Sequence, residues 1–338
     1  MQKLKTFFRR VKTMSLSRMF MYARKACKDS CKSIWLIIPD MVYCVFKYEV
    51  GYLDYLTFGF AHLNAEQRKT YMTMNDNLRL VRNLNDSRKK DLFEDKLQFI
   101  SLFGDYINRD WLDLQTTTSD GLRSFAEKHP VFFAKESNNF GGHGVTRIDV
   151  DKETDFDELY TRLTDSKQYL LEQMVVQHPE MNRLCPKSVN TIRVVTIEKE
   201  GRISVMYSLV RMGSGDSFVD NISSGGMYAP INESGIITAP AFCESQGEYY
   251  DVHPNTGTHI TGFKIPMFKE GIELVKRAAK VVDEVRYVGW DVAISTDGPV
   301  IIEGNTIPGY DMCQNYHHLG ERKIGIKPRF IEILGNEF

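Results

Sequence analysis

The chain has 338 residues, 42% of them hydrophobic and 26% charged, with 43 Lys/Arg against 44 Asp/Glu and a formal net charge of −1. This is a soluble globular profile with room for two domains, or for one domain with subdomains, and it excludes a molecule charged as a whole for nucleic acid. Cys27, Cys31, Cys44, Cys185, Cys243 and Cys313 form no CxxC pair and no Cys/His zinc spacing, so they read as reduced thiols of a cytosolic protein.

Residues 1–85 read as mainly helical and are basic at their start. Residues 1–33 hold ten Lys/Arg and a single acid, Asp29, with Phe7, Phe8, Val11, Met14, Met19 and Phe20 interleaved. Such a helix either packs its apolar stripe on the protein body or lies on an anionic membrane surface. The first 13 residues lack the apolar core and small-residue cleavage site of a secretory signal. The apolar stretch 34–46 contains Pro39 and Asp40 and is too short to span a bilayer, which takes about 20 apolar residues.

From Val131 the texture becomes β-rich. Residues 131–135 and 145–150 read as paired strands, 155–163 as a short helix and 169–176 as another strand. Residues 191–198 and 202–210 read as a hairpin across Lys199-Glu200-Gly201. Residues 268–285 carry Phe268, Ile272, Val275, Ala279 and Val282 on one helical stripe. Mixed strands and helices with prominent antiparallel pairs give an α+β class.

Glu136–Gly144, between the first two strands, has three glycines in four residues: Gly141, Gly142 and Gly144. Their backbone N–H groups suit anionic oxygens, and Lys135 would place an ammonium beside them. The lysine precedes the glycines, and no helix follows them. The segment is therefore neither a phosphate loop of the GxxxxGK[ST] type nor a dinucleotide fingerprint. It reads as a flap over phosphates or as an ordinary hairpin turn. In 169–176, an apolar edge beside Glu172 suits a flat purine, with Glu180 near ribose hydroxyls; a plain strand ending at a Pro turn fits the same residues.

Near the C-terminus, Gly289-Trp290-Asp291-Val292-Ala293 and Ile301-Ile302-Glu303-Gly304-Asn305 flank the turn signal Ser295-Thr296-Asp297-Gly298-Pro299. A hairpin centred on Asp297 sets Asp291 opposite Glu303, with Asn305 on the same face; a two-residue turn at Asp297-Gly298 would shift the pairing by one. Opposed like charges destabilise a ladder, more so when partly buried, and a divalent cation would resolve this. Three hard oxygen donors point to Mg2+ or Mn2+. The plainer alternative is two solvated carboxylates and a turn Asn.

Taken in order, the Lys, the Gly segment, the Glu-bearing strand, the Arg-bearing strand, the Asp strand and the Glu-x-Asn strand resemble the ATP-grasp superfamily. The likeness runs from about Asn85 to His318. Pro186-Lys187-Ser188-Val189-Asn190-Thr191-Ile192-Arg193 and Val219-Asp220-Asn221-Ile222-Ser223-Ser224-Gly225-Gly226 look like its sugar-transfer-associated branch, linked to bacterial surface-polysaccharide synthesis. The resemblance implies an ATP-grasp fold, two α+β subdomains clasping ATP, after a helical region at 1–85. Residues 86–130 would form the N-terminal part of the module, 131–185 the small subdomain and 186–338 the core with the metal site.

It also implies roles. Lys135 would bind the α and β phosphates and Lys96 would be the earlier ATP-contacting lysine, although Lys89 and Lys90 lie close to Lys96 in sequence. Gly141, Gly142, His143 and Gly144 would close over β and γ. Glu172, Gln173, Val175 and Glu180 would hold the nucleoside. Asp291, Glu303 and Asn305 would carry Mg2+ (or Mn2+). Arg193, mid-strand among apolar neighbours, needs an anionic partner such as the γ phosphate or a substrate carboxylate; Arg211 and Asn221 form a second candidate group. The implied reaction joins a carboxylate to an amine through an acyl phosphate. The carboxylate would be borne by a sugar or lipid-linked glycan, and the basic stretch at 1–33 would touch the inner face of a membrane. A kinase acting on a hydroxyl, a small-peptide ligase and a non-catalytic nucleotide-binding protein are the alternatives.

Overall fold

The computed structural model describes residues 16–136, 144–215, 220, 222 and 225–338. The chain forms two compact units: Met1–Arg79 with Gly309–Phe338, and Leu80–Pro308.

The first unit is helical where described. Ser33 caps the helix Ile34–Lys47 by accepting from Trp35 N–H, and Asn64 with Gln67 forms a reciprocal capping box on Ala65–Arg68. Met19, Ala23 and Ala26 of the helix Leu16–Ser30 are buried, as are Ile37, Met41 and Cys44 of Ile34–Lys47. Both rows follow i, i+4, i+7, the spacing of one helix face. Arg68 makes a two-pronged bond to Asp40 at 2.8 and 2.6 Å, and the Tyr55 hydroxyl donates to the same carboxylate at 2.6 Å. Gln314 stitches the C-terminal segment in place: its Nε2 donates to Met72 C=O at 3.0 Å and its Oε1 accepts from Met72 N–H at 2.8 Å.

The second unit carries two antiparallel sheets. The smaller contains β1 (Trp111–Asp113), β2 (Val131–Lys135), β3 (Val145–Asp149) and β4 (Leu170–Gln173), in spatial order β1-β4-β2-β3. The helices Ser119–Lys128 and Phe156–Asp165 supply Leu122, Ala126, Leu159 and Leu163 to a small core with Phe132 and Ile148. The larger contains β5 (Thr191–Lys199), β6 (Arg202–Met212), β7 (Met227–Ile231), β8 (Ala241–Cys243), β9 (Glu248–Tyr250), β10 (Tyr287–Ser295) and β11 (Gly298–Asn305). Their spatial order is β11-β10-β5-β6-β7-β8-β9. Its core centres on Trp290, fully buried, with Phe93 and Phe103 at ring separations of 5.9 and 5.5 Å. The Trp290 indole N–H donates to Thr196 Oγ1 at 3.0 Å, so burying it leaves no unmet donor.

Two expected elements are shorter in the structure. The helix expected over 268–285 ends at Ala278. Asp86 N–H donates to Glu284 C=O at 2.8 Å and Arg286 N–H to Leu84 C=O at 3.2 Å, so the chain must be extended there. Val282 and Val285 still bury their side chains outside the helix, Val285 in a β-bridge with Asn85. The strand expected over 169–176 is paired only across Leu170–Gln173. Beyond it the chain changes partner: Thr296 N–H donates to Val176 C=O and His178 N–H to Ile294 C=O, tying this segment to the end of β10.

Candidate functional site

The hairpin β10–β11 turns on two residues, Thr296 and Asp297, with Ser295 paired to Gly298. A regular ladder from that turn would set Ile302 opposite Asp291. Instead the register shifts between Val292↔Ile301 and Asp291↔Glu303, leaving Ile302 as the extra residue of a bulge. Asp291 thus faces Glu303, the expected pairing reached by an unexpected route. On its other side Asp291 pairs with Arg193 of β5. Arg193, Asp291 and Glu303 therefore form one row across three strands.

Asp291 is fully buried and saturated. Arg193 Nε and Nη2 donate to its two oxygens at 2.5 and 3.0 Å, and Arg211 Nη2 adds a bond of 2.7 Å. Burial alone would raise the Asp291 carboxyl; the charges of Arg193 and Arg211 together with the Arg193 hydrogen bond outweigh it and hold the group well below the usual carboxylate range. The anionic partner that Arg193 requires is therefore Asp291. Arg211 also donates to Thr191 Oγ1 at 3.0 Å, and Asp220 accepts from Thr191 N–H at 2.9 Å and from the Thr191 hydroxyl.

Glu303 is open to a cleft of about 490 Å³ lined also by Phe93, Lys96, Lys135, Glu172 and Asn305. Desolvation by the surrounding protein, then the Asp291 charge and a hydrogen bond to it, push the Glu303 carboxyl up. Exposure to the cleft weakens the first cause, and the neighbouring Asp291 charge dominates. Gly304 follows with a bare face: a Cβ there would lie 2.9 Å from the Phe93 ring, so only glycine admits the helix Asp91–Glu94 against β11.

Two lysines enter the cleft from different elements. Lys96 opens the helix Lys96–Ile107, which Asp95 caps, and its Nζ donates to Glu136 C=O at 2.9 Å. Lys135 ends β2 and pairs with the Glu172 carboxylate. Burial and then the Lys135 charge push the Lys96 ammonium down, as expected for like charges converging on a site suited to an anion. Glu172 is fixed on its other oxygen by Arg109 Nη2 at 2.8 Å, while Arg109 Nη1 donates to Ile301 C=O at 2.9 Å. Arg109 thereby ties β4 of the small sheet to β11 of the large one. Burial opposes the Glu172 charge, but Arg109 and Lys135 together hold its pKa at about 2.

A second cleft of about 320 Å³ is lined by Asn108, Arg109, Gln173, Val175, Thr296 and Val300, among others. The Gln173 side-chain oxygen accepts from Asp110 N–H at 3.0 Å. Glu180 lines neither cleft; it is exposed and pairs with Arg183 at 2.7 Å. Gly144 sits at φ +71°, with its C=O accepting from Glu136 N–H at 3.1 Å, so the stem of the Gly segment is closed. Gly141, Gly142, His143 and Asn221, with Ser223 and Ser224, lie outside the described residues.

Arg109 was not among the residues the sequence singled out. Its one local signal is Asn108, whose left-handed conformation (φ +45°) ends the preceding helix and aims the chain into β1. Nothing near Arg109 in sequence points to its pairing with Glu172, 63 residues away.

Among the described residues no three His, Cys, Asp or Glu side chains gather in metal-holding geometry. The candidate donors are two carboxylates and one amide, with Glu303 and Asn305 lining the cleft and Asp291 behind them. Asn305 Nδ2 lies 3.4 Å from Glu303 Oε1. The donor type fits a hard divalent cation, and the upward push on Glu303 beside Asp291 is the strain such a cation relieves.

Residues 75–323 match the model of the family described as sugar-transfer associated ATP-grasp. Among solved structures, the chain is similar to the ATP-grasp ligase PsnB complexed with minimal precursor, at 14% identity and a TM-score of 0.46, covering 75% of this chain and 64% of that one. It is similar to D-alanyl-alanine synthetase A from Vibrio cholerae O1 biovar eltor, at 14% identity and a TM-score of 0.40, over 72% and 61%. It is also similar to N5-carboxyaminoimidazole synthetase from Staphylococcus aureus complexed with ADP, at 11% identity and a TM-score of 0.41, over 65% and 46%. The chain thus spans less than two thirds of the length of each. No curated protein sequence matches it. The family model covers most of the polypeptide, and the chain belongs to the sugar-transfer associated ATP-grasp family.

Proposed function

We propose that the protein is an ATP-dependent, ADP-forming ligase that joins a carboxylate to an amine. The carboxylate is borne by a sugar or glycan precursor, in keeping with the family description, and the setting is bacterial surface-polysaccharide synthesis. The observation that carries the reading is the convergence of Lys96, Lys135, Glu303 and Asn305 on one cleft, with Lys96 bonded to the stem of the Gly-rich segment at Glu136 C=O.

In this reading Lys96 and Lys135 bind the α and β phosphates of ATP and neutralise charge there. Glu172 steers Lys135 when the cleft is empty and, with Gln173 and Val175, borders the nucleoside. Gly141, Gly142, His143 and Gly144 are assigned to the outer phosphates, and Glu180 to the ribose, from sequence alone. Arg193 and Arg211 fix Asp291 behind Glu303; Asn221 is assigned to the acceptor side. Glu303 and Asn305 would hold Mg2+ or Mn2+, with Asp291, expected from sequence as the third ligand, lying behind them; the ion when bound would supply positive charge to the phosphate oxygens. A substrate carboxylate oxygen attacks the γ phosphorus and ADP departs. The amine nitrogen then attacks the acyl carbon, phosphate leaves with the electron pair, and the nitrogen loses a proton. No protein nucleophile is required.

The test is purified protein with Mg-ATP and panels of uronic acids and amines. ADP and free phosphate should appear together, and only with both substrates present. ADP without free phosphate, with phosphate retained on a product, marks a kinase instead. Absence of Mg-ATP binding in calorimetry overturns the reading.

A further inference from the structure

Asn305 is the last residue of β11, and the β10–β11 ladder ends with it at Gly289↔Asn305. The end of a strand frays unless something holds its exit. A cation donor at such an end must be held, because a ligand group displaced by a fraction of an ångström no longer meets the ion.

The exit is held by Asn85. Its Oδ1 accepts from Tyr287 N–H at 2.9 Å, and its Nδ2 donates to Tyr287 C=O at 2.8 Å and to Thr306 C=O at 2.9 Å. One carboxamide thus meets both backbone groups of Tyr287, just before Gly289 on β10, and the carbonyl of the residue that follows Asn305. Tyr287 and Thr306 are both buried, so water is a poor substitute for these bonds. Asn85 is itself delivered on a fixed backbone. It forms a β-bridge with Val285, and its N–H donates to Val81 C=O at 3.0 Å. On either side of it, Asp86 N–H donates to Glu284 C=O and Leu84 C=O accepts from Arg286 N–H.

The consequence falls on Asn305. Its Nδ2 lies 3.4 Å from Gly289 C=O and 3.4 Å from Glu303 Oε1, and the residue lines the cleft. The nitrogen end of the amide is thereby turned to the sheet and to Glu303, which leaves Oδ1, the end with lone pairs, for a cation. Both contacts are long, so they do not orient the side chain by themselves; the strand exit must.

We propose that Asn85 is a positioning residue for the cation site: by closing the end of the β10–β11 ladder it sets Asn305 Oδ1 beside the Glu303 carboxylate. Asn85 lines neither cleft and acts through Thr306 and Asn305. The inference rests on the reading of the cleft as a site for ATP and a divalent cation, and not on whether the product is an amide.

The experiment is calorimetry of the full chain with a non-hydrolysable ATP analogue, in chelator and across a Mg2+ series. The parent should bind the analogue more tightly with Mg2+ than in chelator. In Asn85→Ala the Mg2+ concentration giving half of that tightening should rise about 10- to 100-fold, with affinity in chelator unchanged. Asn85→Asp keeps the acceptor for Tyr287 N–H and loses both donors. Its added charge alone would favour a cation, so a raised Mg2+ requirement there reports lost positioning. Leu84→Ala empties a buried neighbouring position; it should lower the unfolding midpoint and leave the Mg2+ requirement where it was. The proposal falls if Asn85→Ala, or Asn85→Asp where Asn85→Ala does not fold, needs no more Mg2+ than the parent. It falls equally if Leu84→Ala raises the requirement as much, or if Asn85→Ala loses affinity in chelator by the same factor. A parent that binds the analogue equally with and without Mg2+ overturns the cation reading as well, and one that does not bind it overturns the ATP reading.

Discussion

Glu172 and Asp291 are both buried carboxylates, and each is gripped by two cations. Glu172 has Arg109 and Lys135 and stands between the two sheets; Asp291 has Arg193 and Arg211 and stands inside one sheet. The side chain of Lys135 is 16% exposed and lines the cleft, whereas those of Arg193 and Arg211 are 9% and 10% exposed and line neither cleft. The first knot can therefore release a cation to an incoming phosphate while Arg109 keeps Glu172 paired. The second has nothing to release. The same ingredients make an exchangeable contact in one place and a fixed support in the other.

The sharpest way to break this comparison is Asp291→Asn. It leaves two buried guanidiniums short of their counter-charge, and the second unit should lose about 3–5 kcal/mol, read as a lower midpoint in urea unfolding. A variant as stable as the parent would make the support role untenable. Glu303→Gln should separate chemistry from support: turnover falls by about a hundred- to a thousandfold, equivalent to about 2.7–4 kcal/mol of barrier. Its unfolding midpoint should hold or rise, because the repulsion from Asp291 is gone. The two substitutions, similar on paper, should thus give opposite stability results.

The Glu172 knot has a signature in acid. Its folded pKa is depressed from 4.5 to about 2, so its contribution is complete above the unfolded value and disappears as pH falls through about 2. That contribution is about 3 kcal/mol, and Glu172→Gln should flatten the acid limb of a stability–pH curve measured between neutral pH and about pH 2. Smallest is Arg109→Lys. One ammonium cannot bridge Glu172 and Ile301 with the fixed fork of a guanidinium, so stability should drop by about 1–3 kcal/mol, with weaker Mg-ATP binding in calorimetry. An unchanged midpoint would mean that Arg109 does not join the sheets energetically.

What the sequence made readable was local. Strand 131–135 is β2 as expected, because a short apolar run and a following Gly segment mark it without outside help. The facing of Asp291 and Glu303 was expected from symmetry about Asp297, but it is reached through a bulge at Ile302 that symmetry does not supply. What escaped needs distant partners. Arg109 has meaning only beside Glu172 and Ile301, and the end of the helix at Ala278 is dictated by residues 84–86. The return of Gly309–Phe338 to the first unit depends on Gln314 finding Met72, 242 residues earlier. The apolar stretch 34–46 read as too short to span a bilayer, and no helix among the described residues is long and apolar enough to cross a membrane.

The lone surplus residue in β11 settles which side chain meets Asp291. Because a strand alternates sides at every step, parity alone decides whether Ile302 or Glu303 stands there. Were Ile302 taken up into the ladder, Glu303 would be turned onto Trp290 and the aromatic core. The sheet could still form, with every strand in its place, and the carboxylate would be lost to the cleft. For this fold, an odd or even count along a few residues separates a working surface from a silent one.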